Sequence, residues 1–223
     1  MLCTEAFAVD SDPRSRDRAL AWVAMLGDAR AQARLLSGNP SPAWLWATAL
    51  TGRVQAVDRA IEMLEDETLA RHAGEVIHLV AGLPRHDERF WLDNGAVAEG
   101  DDPDVALPKL DDDDLEAELA PLDDRPLPLP NPETIRLWWE QQRGRLDAEA
   151  RLSLGLPFDG RQLLHDLRKQ SMRLRHSRAL ELAARTGGVA QIESRALTAV
   201  QSAQIESLAD QITQVQCQRG LPI

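Results

Sequence analysis

A chain of 223 residues with 43% apolar and 27% charged side chains can bury a substantial core, and its longest apolar runs, such as 43–50, fall far below the ~18 residues that span a bilayer. Tyr is absent and Phe occurs three times, which favours helices packed through Ala and Leu over a β-sandwich. A net charge of −11 disfavours nucleic acid, and Cys3 and Cys217, far apart and without a CxxC pairing, predict free thiols in a reducing cytosol and not a disulfide or zinc site.

The start of the chain, 1–13, reads as a tail without the basic region and apolar run of a secretory leader, so a cytoplasmic protein is expected. Residues 14–85 then carry punctuation at nearly every helix end. A first helix, 18–26, is apolar through Leu20, Trp22, Val23 and Ala24, and it stops at Gly27. Asp28 caps a second over 29–36, which ends at Ser37-Gly38-Asn39-Pro40. Ser41 followed by Pro42 starts a third over 42–51. Helices over 54–64 and 68–80 follow, the last closed by Gly82 and Pro84. Ala24-Met25-Leu26-Gly27 aligns with Ala49-Leu50-Thr51-Gly52 at an offset of 25, and the same register pairs Leu20 with Leu45, Ala31 with Ala56 and Arg34 with Arg59. Short helix pairs of this kind cannot bury their apolar faces alone, so stacking into a short solenoid is expected, with the C-terminal half as its cap.

From 86 to 131 the helical period disappears under repeated prolines. Glu99 to Asp124 holds twelve carboxylates against a single Lys109, which equals the net charge of the whole chain. Phe90-Trp91-Leu92 is placed to pin the start of this acidic insert to the body. Asp111 to Asp114 invite calcium, but the sixth and twelfth positions counted from Asp111 are Glu116 and Leu122, where an EF-hand needs Gly and Glu; from Asp101 they are Ala106 and Asp112. No metal site is therefore expected. The insert reads either as a solvated, self-repelling linker or as a polyanion that occupies a basic surface, its own or a partner's.

The C-terminal module, 132–223, opens on Asn131-Pro132-Glu133, a capped helix start. Its helix to about Arg143 carries Trp138 and Trp139, a pair that suits core packing or a partner hot spot. Asp159-Gly160 opens a helix through about Arg175, and from Arg161 to Arg185 seven bases face two acids. This is the natural counterpart of the insert, since a guanidinium fork suits carboxylates. The last segment, 189–215, is helix-compatible, and Ile205, Leu208, Ile212 and Val215 form a seam expected to pack back on the body.

Two stretches carry a resemblance. WATALTGRVQAVDRAIEMLEDETLARHAGEVIHLVAGLP (46–84) resembles the HEAT-like repeats of an uncharacterised bacterial family related in pattern to phycobilin-lyase-type repeats. NPETIRLWWEQQRGRL, RLSLGLP and LRKQSMRLRHSRALELAAR resemble that family's C-terminal module, through Trp138, Trp139, Arg143, Arg151, Leu154, Gly155, Arg178 and Ala179 to Leu182. The likeness covers about 40–200 and implies a short member of the family, whose proteins often sit near type VI secretion and toxin genes.

Enzyme signatures are lacking. The five histidines include no HExxH, His72 and His78 are six apart, and neither GxxxxGK[ST] nor GxGxxG occurs. The expectation is an all-α protein, a short HEAT-like α-solenoid with an acidic irregular insert and a helical C-terminal module. It is expected to bind another protein without catalysis, cofactor, metal, nucleic acid or membrane, and the resemblance implies a type VI immunity or accessory protein whose partner is a basic effector or toxin. Asp111, Asp112, Asp113, Asp114, Trp138, Trp139, Arg168 and Arg175 are the candidate partner-binding residues. The competing readings are a scaffold whose insert docks on its own basic helix and, less favoured, a lyase-like enzyme.

Overall fold

The structure is a computed structural model, and it describes residues 13–93 and 127–221. Among these residues the chain forms ten α-helices and one small two-stranded hairpin. The helices are α1 (Pro13–Leu26), α2 (Ala29–Leu36), α3 (Pro42–Thr51), α4 (Val54–Ile61), α5 (Ala70–Ala81), α6 (Pro132–Gln142), α7 (Gly160–Lys169), α8 (Met172–Arg185), α9 (Thr198–Ser207) and α10 (Ala209–Thr213). The hairpin pairs β1 (Leu152–Ser153) with β2 (Leu156–Pro157). Among the described residues, no helix is long and apolar enough to cross a membrane.

The expected caps are in place. The Asp28 carboxylate accepts the Ala31 N–H at 2.8 Å, and Ser41 Oγ accepts that of Trp44 at 3.1 Å. Asn131 does the same for Thr134 at 3.4 Å, and Asp159 for Gln162 at 2.9 Å. Helices α1, α3 and α5 lie against one another in one layer, while α2 and α4 meet in a second. Helix α3 is buried through Trp44, Leu45, Ala47, Ala49 and Leu50, and its hydroxyls bond back to its own carbonyls, Thr48 to Leu45 and Thr51 to Thr48. A helix apolar on every side belongs in the middle of a stack, which is where α3 sits.

Several boundaries differ from expectation. The first helix begins at Pro13 and not at 18, and the fourth ends at Ile61 and not at 64. The fifth helix starts at Ala70, because the Asp66 carboxylate takes the Thr68 and Leu69 N–H groups at 2.9 and 3.0 Å and holds 66–69 as a turn. The basic helix of the C-terminal half is two helices: Gln170 is extended, and Ser171 caps α8, which runs on to Arg185. Residues 189–215 are not one helix. Gly187 and Gly188, both at positive φ, turn the chain, 189–197 is irregular, and only α9 and α10 are helical.

Two apolar clusters result. The larger unites α1 to α5 with Phe90, Trp91, Ile135, Trp139, Leu152 and Leu174. The smaller gathers Phe158, Leu163, Leu167, Leu182, Ile205 and Ile212, with Leu208 and Val215 at its edge, so the C-terminal seam packs against α7 of its own module.

The two clusters join along the C-terminal ends of α1, α3 and α5. The carbonyls of a helix's last turn have no partner within the helix. Here the C-terminal half supplies donors. Leu221 N–H donates to Leu26 O at 2.9 Å, Leu152 N–H to Gly52 O at 2.7 Å, and Leu154 and Gly155 N–H to Leu79 O and Val80 O at 2.7 and 2.8 Å. Gly52 and Gly82 cap α3 and α5 at φ +65° and +78°, and a Cβ on either would fall 2.4 Å from Leu152 O or 2.6 Å from Leu154 O. Leu154 itself is held at φ 54°, a conformation that its docking against α5 sustains.

Candidate functional site

Asp111 to Asp114 lie outside the described residues, as does the rest of 94–126. What is described is the root from which that segment departs. The chain leaves at Asp93 and returns at Leu127 with its two ends side by side. Leu92 N–H donates to Leu129 O at 2.8 Å, Asn131 N–H donates to Phe90 O at 2.8 Å, and Trp91 and Pro130 form an antiparallel bridge. The Asp93 carboxylate accepts the Leu129 N–H at 2.9 Å and pairs with Arg71 at 2.7 Å, while Arg71 also donates to Leu127 O. Hydrogen bonding to Asp93 raises the Arg71 pKa above its ordinary value. Gly74 on α5 leaves room for the Trp91 ring, whose indole N–H donates to Pro84 O at 2.9 Å. Phe90 and Trp91 are buried, as expected of an anchor, whereas Leu92 is 61% exposed.

The tryptophan pair lies beside this clasp. Trp139 is buried and donates its indole N–H to Asp58 at 3.0 Å, and the same carboxylate receives Arg143 through two bonds of 2.8 and 2.9 Å. Trp138 is half-buried between Phe90 and Trp139, with ring centroids 6.1 and 6.2 Å apart. The pair thus fastens α6 to α4 and to the clasp, and Leu137, 55% exposed, is the apolar side chain α6 leaves outside.

The bases of α7 and α8 are largely engaged within the chain. Arg168 makes a two-pronged pair with Glu206 of α9 at 2.9 and 2.6 Å. Arg173 lies 4.0 Å over the Trp46 ring. Arg175 reaches Gln201 at 3.5 Å and the Met172 sulfur. Arg178 and Arg185 are buried with Arg151 around Glu181. Arg161 and Lys169 are exposed and pair with no described residue.

Glu181 is the centre of a buried ionic node. Arg151 grips it through both terminal nitrogens, Arg178 donates to it at 2.9 Å and Arg185 at 2.8 Å. Arg178 also reaches Asp166 at 3.2 Å, which accepts from Ser153 at 2.8 Å and Gln162 at 3.1 Å. The Phe158 ring lies under Arg151 and Arg178 at 4.6 and 4.0 Å. Burial alone would raise the Glu181 carboxyl, but the three guanidiniums overcome it and hold it at about 2. The node is also the clamp between halves. Arg151 donates to Leu50 O at 2.8 Å and Arg185 to Met25 O at 2.9 Å. Each guanidinium thereby meets the negative end of an inner helix.

Sequence alone gives 161–185 as one solvated or docking surface, and this node is not part of that expectation. The available signal was Arg178, Glu181 and Arg185 at spacings of three and four, which places the three side chains on one helix face. Arg151, Leu154, Gly155 and Arg178, which carry the family resemblance, all lie on the seam.

His78 holds Leu83 O at 2.6 Å and His176 holds Ser194 Oγ at 2.7 Å. Burial, followed by the Glu181 charge, pushes the Cys217 thiol up to about 11, the reverse of an activated nucleophile. No group of three His, Cys, Asp or Glu among the described residues is placed to hold a metal. Comparison with protein-family models, curated proteins and solved structures gave no match for the chain.

Proposed function

We propose that the chain is a non-enzymatic, cytoplasmic protein-binding module that presents its acidic segment to a basic partner. The observation that supports this is the clasp. Fixed ends at Asp93 and Leu127 hold a span with twelve carboxylates against Lys109 and Arg125 at one place on a packed helical body. The competing scaffold reading needs a basic counterpart within the chain. It is weakened because Arg168, Arg178 and Arg185 already have carboxylate partners, Arg175 bonds to Gln201 and Arg173 covers the Trp46 ring, while Arg161 and Lys169 pair with no described residue.

The body is a short HEAT-like α-solenoid in this reading. Its support is the alternation of α1, α3 and α5 with α2 and α4 between two layers, together with the sequence register that aligns Met25 with Leu50. The finer assignment, an immunity or accessory protein beside type VI secretion, rests on the family resemblance. A basic nuclease effector, its substrate groove covered by carboxylates, is the partner such a segment suits.

Co-expression with any toxin that the neighbouring genes encode is the test. Protection and co-purification are expected, with binding that weakens as salt rises. Deleting 99–124 is expected to abolish binding while leaving Tm unchanged. Binding that survives the deletion removes the acidic segment from the interface, and a large fall in Tm assigns it to the fold.

A further inference from the structure

A cleft of about 370 Å³ opens where α5 and the 82–86 loop meet the turn between α7 and α8. Every residue lining it is polar: Glu75, His78, Arg85 and His86 on one wall, Lys169, Gln170 and Ser171 on the other. Binding pockets for organic ligands are mostly apolar and run from about 300 to 1,000 Å³. This one is at the small end and every side chain around it ends in a polar group, which suits a compact polar ligand.

The sign of that ligand follows from the donors. In a chain of net charge −11, these walls set two fixed cations against one carboxylate. That carboxylate, Glu75, is nearly buried and already paired with Arg85. Lys169 is exposed and has no ion pair among the described residues. Ser171 accepts the Leu174 N–H at a long 3.4 Å, and its hydroxyl proton remains to be given. His78 directs Nδ1 to Leu83 O at 2.6 Å, and burial and the neighbouring His86 lower its pKa. A neutral imidazole so held keeps Nε2 as an acceptor, which suits the hydroxyl of a monoprotonated phosphate.

We propose that this cleft is a phosphate site, taking the anion free or as the monoester of a small molecule. The two walls come from opposite sides of the seam, so an occupant ties the α7–α8 turn to α5. A ligand held only by the folded chain stabilises it by mass action.

Thermal melting of the full chain in chloride, inorganic phosphate and glycerol phosphate at equal ionic strength tests the proposal. Phosphate is expected to raise Tm with concentration and to move the imidazole resonances of His78 and His86. Lys169→Gln, with the parent's Tm in chloride, is expected to need about tenfold more phosphate for the same rise, the worth of one charge-assisted bond. Lys169→Arg is expected to restore the response. A larger response to glycerol phosphate identifies the ester as the ligand, and a larger response to inorganic phosphate identifies the free anion. Equal melting in chloride and both phosphates, or Lys169→Gln behaving as the parent, overturns the site.

Discussion

Around Leu45 the interior of the N-terminal helices is Ala, Leu, Val and Ile, with the Thr48 and Thr51 hydroxyls returned to carbonyls of their own helix. Around Glu181 the interior is three guanidiniums and two carboxylates, each side chain no more than 3% exposed. The two regions fail differently when disturbed. An aliphatic side chain shifted slightly meets other aliphatic neighbours, whereas a buried charge separated from its partner costs several kcal/mol. The aliphatic region supplies most of the burial, and the ionic seam accepts one docking of the C-terminal half on it.

The sharpest way to break this contrast is Glu181→Ala. It strands Arg151, Arg178 and Arg185 without their shared carboxylate and is expected to cost about 3–5 kcal/mol in urea denaturation. Leu45→Ala is the control on the apolar side, at about 2–5 kcal/mol, and it is expected to leave the pH dependence of stability unaltered.

Acid separates the regions next. The Glu181 carboxyl falls from 4.5 to about 2 on folding, so its contribution is complete above about 4.5 and is lost as pH falls toward 2. At about 1.4 kcal/mol for each tenfold change, roughly 3 kcal/mol disappears across that window. Denaturation curves from pH 6 to pH 2 are expected to show the loss in the parent and a flatter profile in Glu181→Gln.

The smallest effect belongs to Arg168→Gln. Its pair with Glu206 is exposed, so a change below about 1 kcal/mol is expected, vanishing in high salt. A larger loss would mean that the outer face of α7 is fastened as firmly as its inner face.

Several helix ends in both halves were legible because capping is local chemistry. Asp28, Ser41-Pro42, Asn131-Pro132, Gly52 and Gly82 each act within a few residues of where they stand. The Ser171 cap was equally local, yet the apolar and basic pattern running through it masked it. The node was not legible, because a charge run in a sequence reads as a solvated face and burial is decided by what arrives from elsewhere. Arg151 comes from a hairpin thirty residues before Glu181, and Leu50 O comes from a helix more than a hundred residues away. Trp139 was open to two readings for the same reason, since its partner Asp58 is 81 residues distant.

Arg185 and Arg151 have one more consequence. They reach the ends of two neighbouring helices, α1 and α3, and adjacent helix axes stand about 8–10 Å apart. An additional helix pair inserted between α1 and α3 would carry Met25 O one such distance away, past the reach of a guanidinium fixed to Glu181. The far end of the chain therefore gauges how many helices stand at the near end, and a body with two more or two fewer would no longer fit its own C-terminal half.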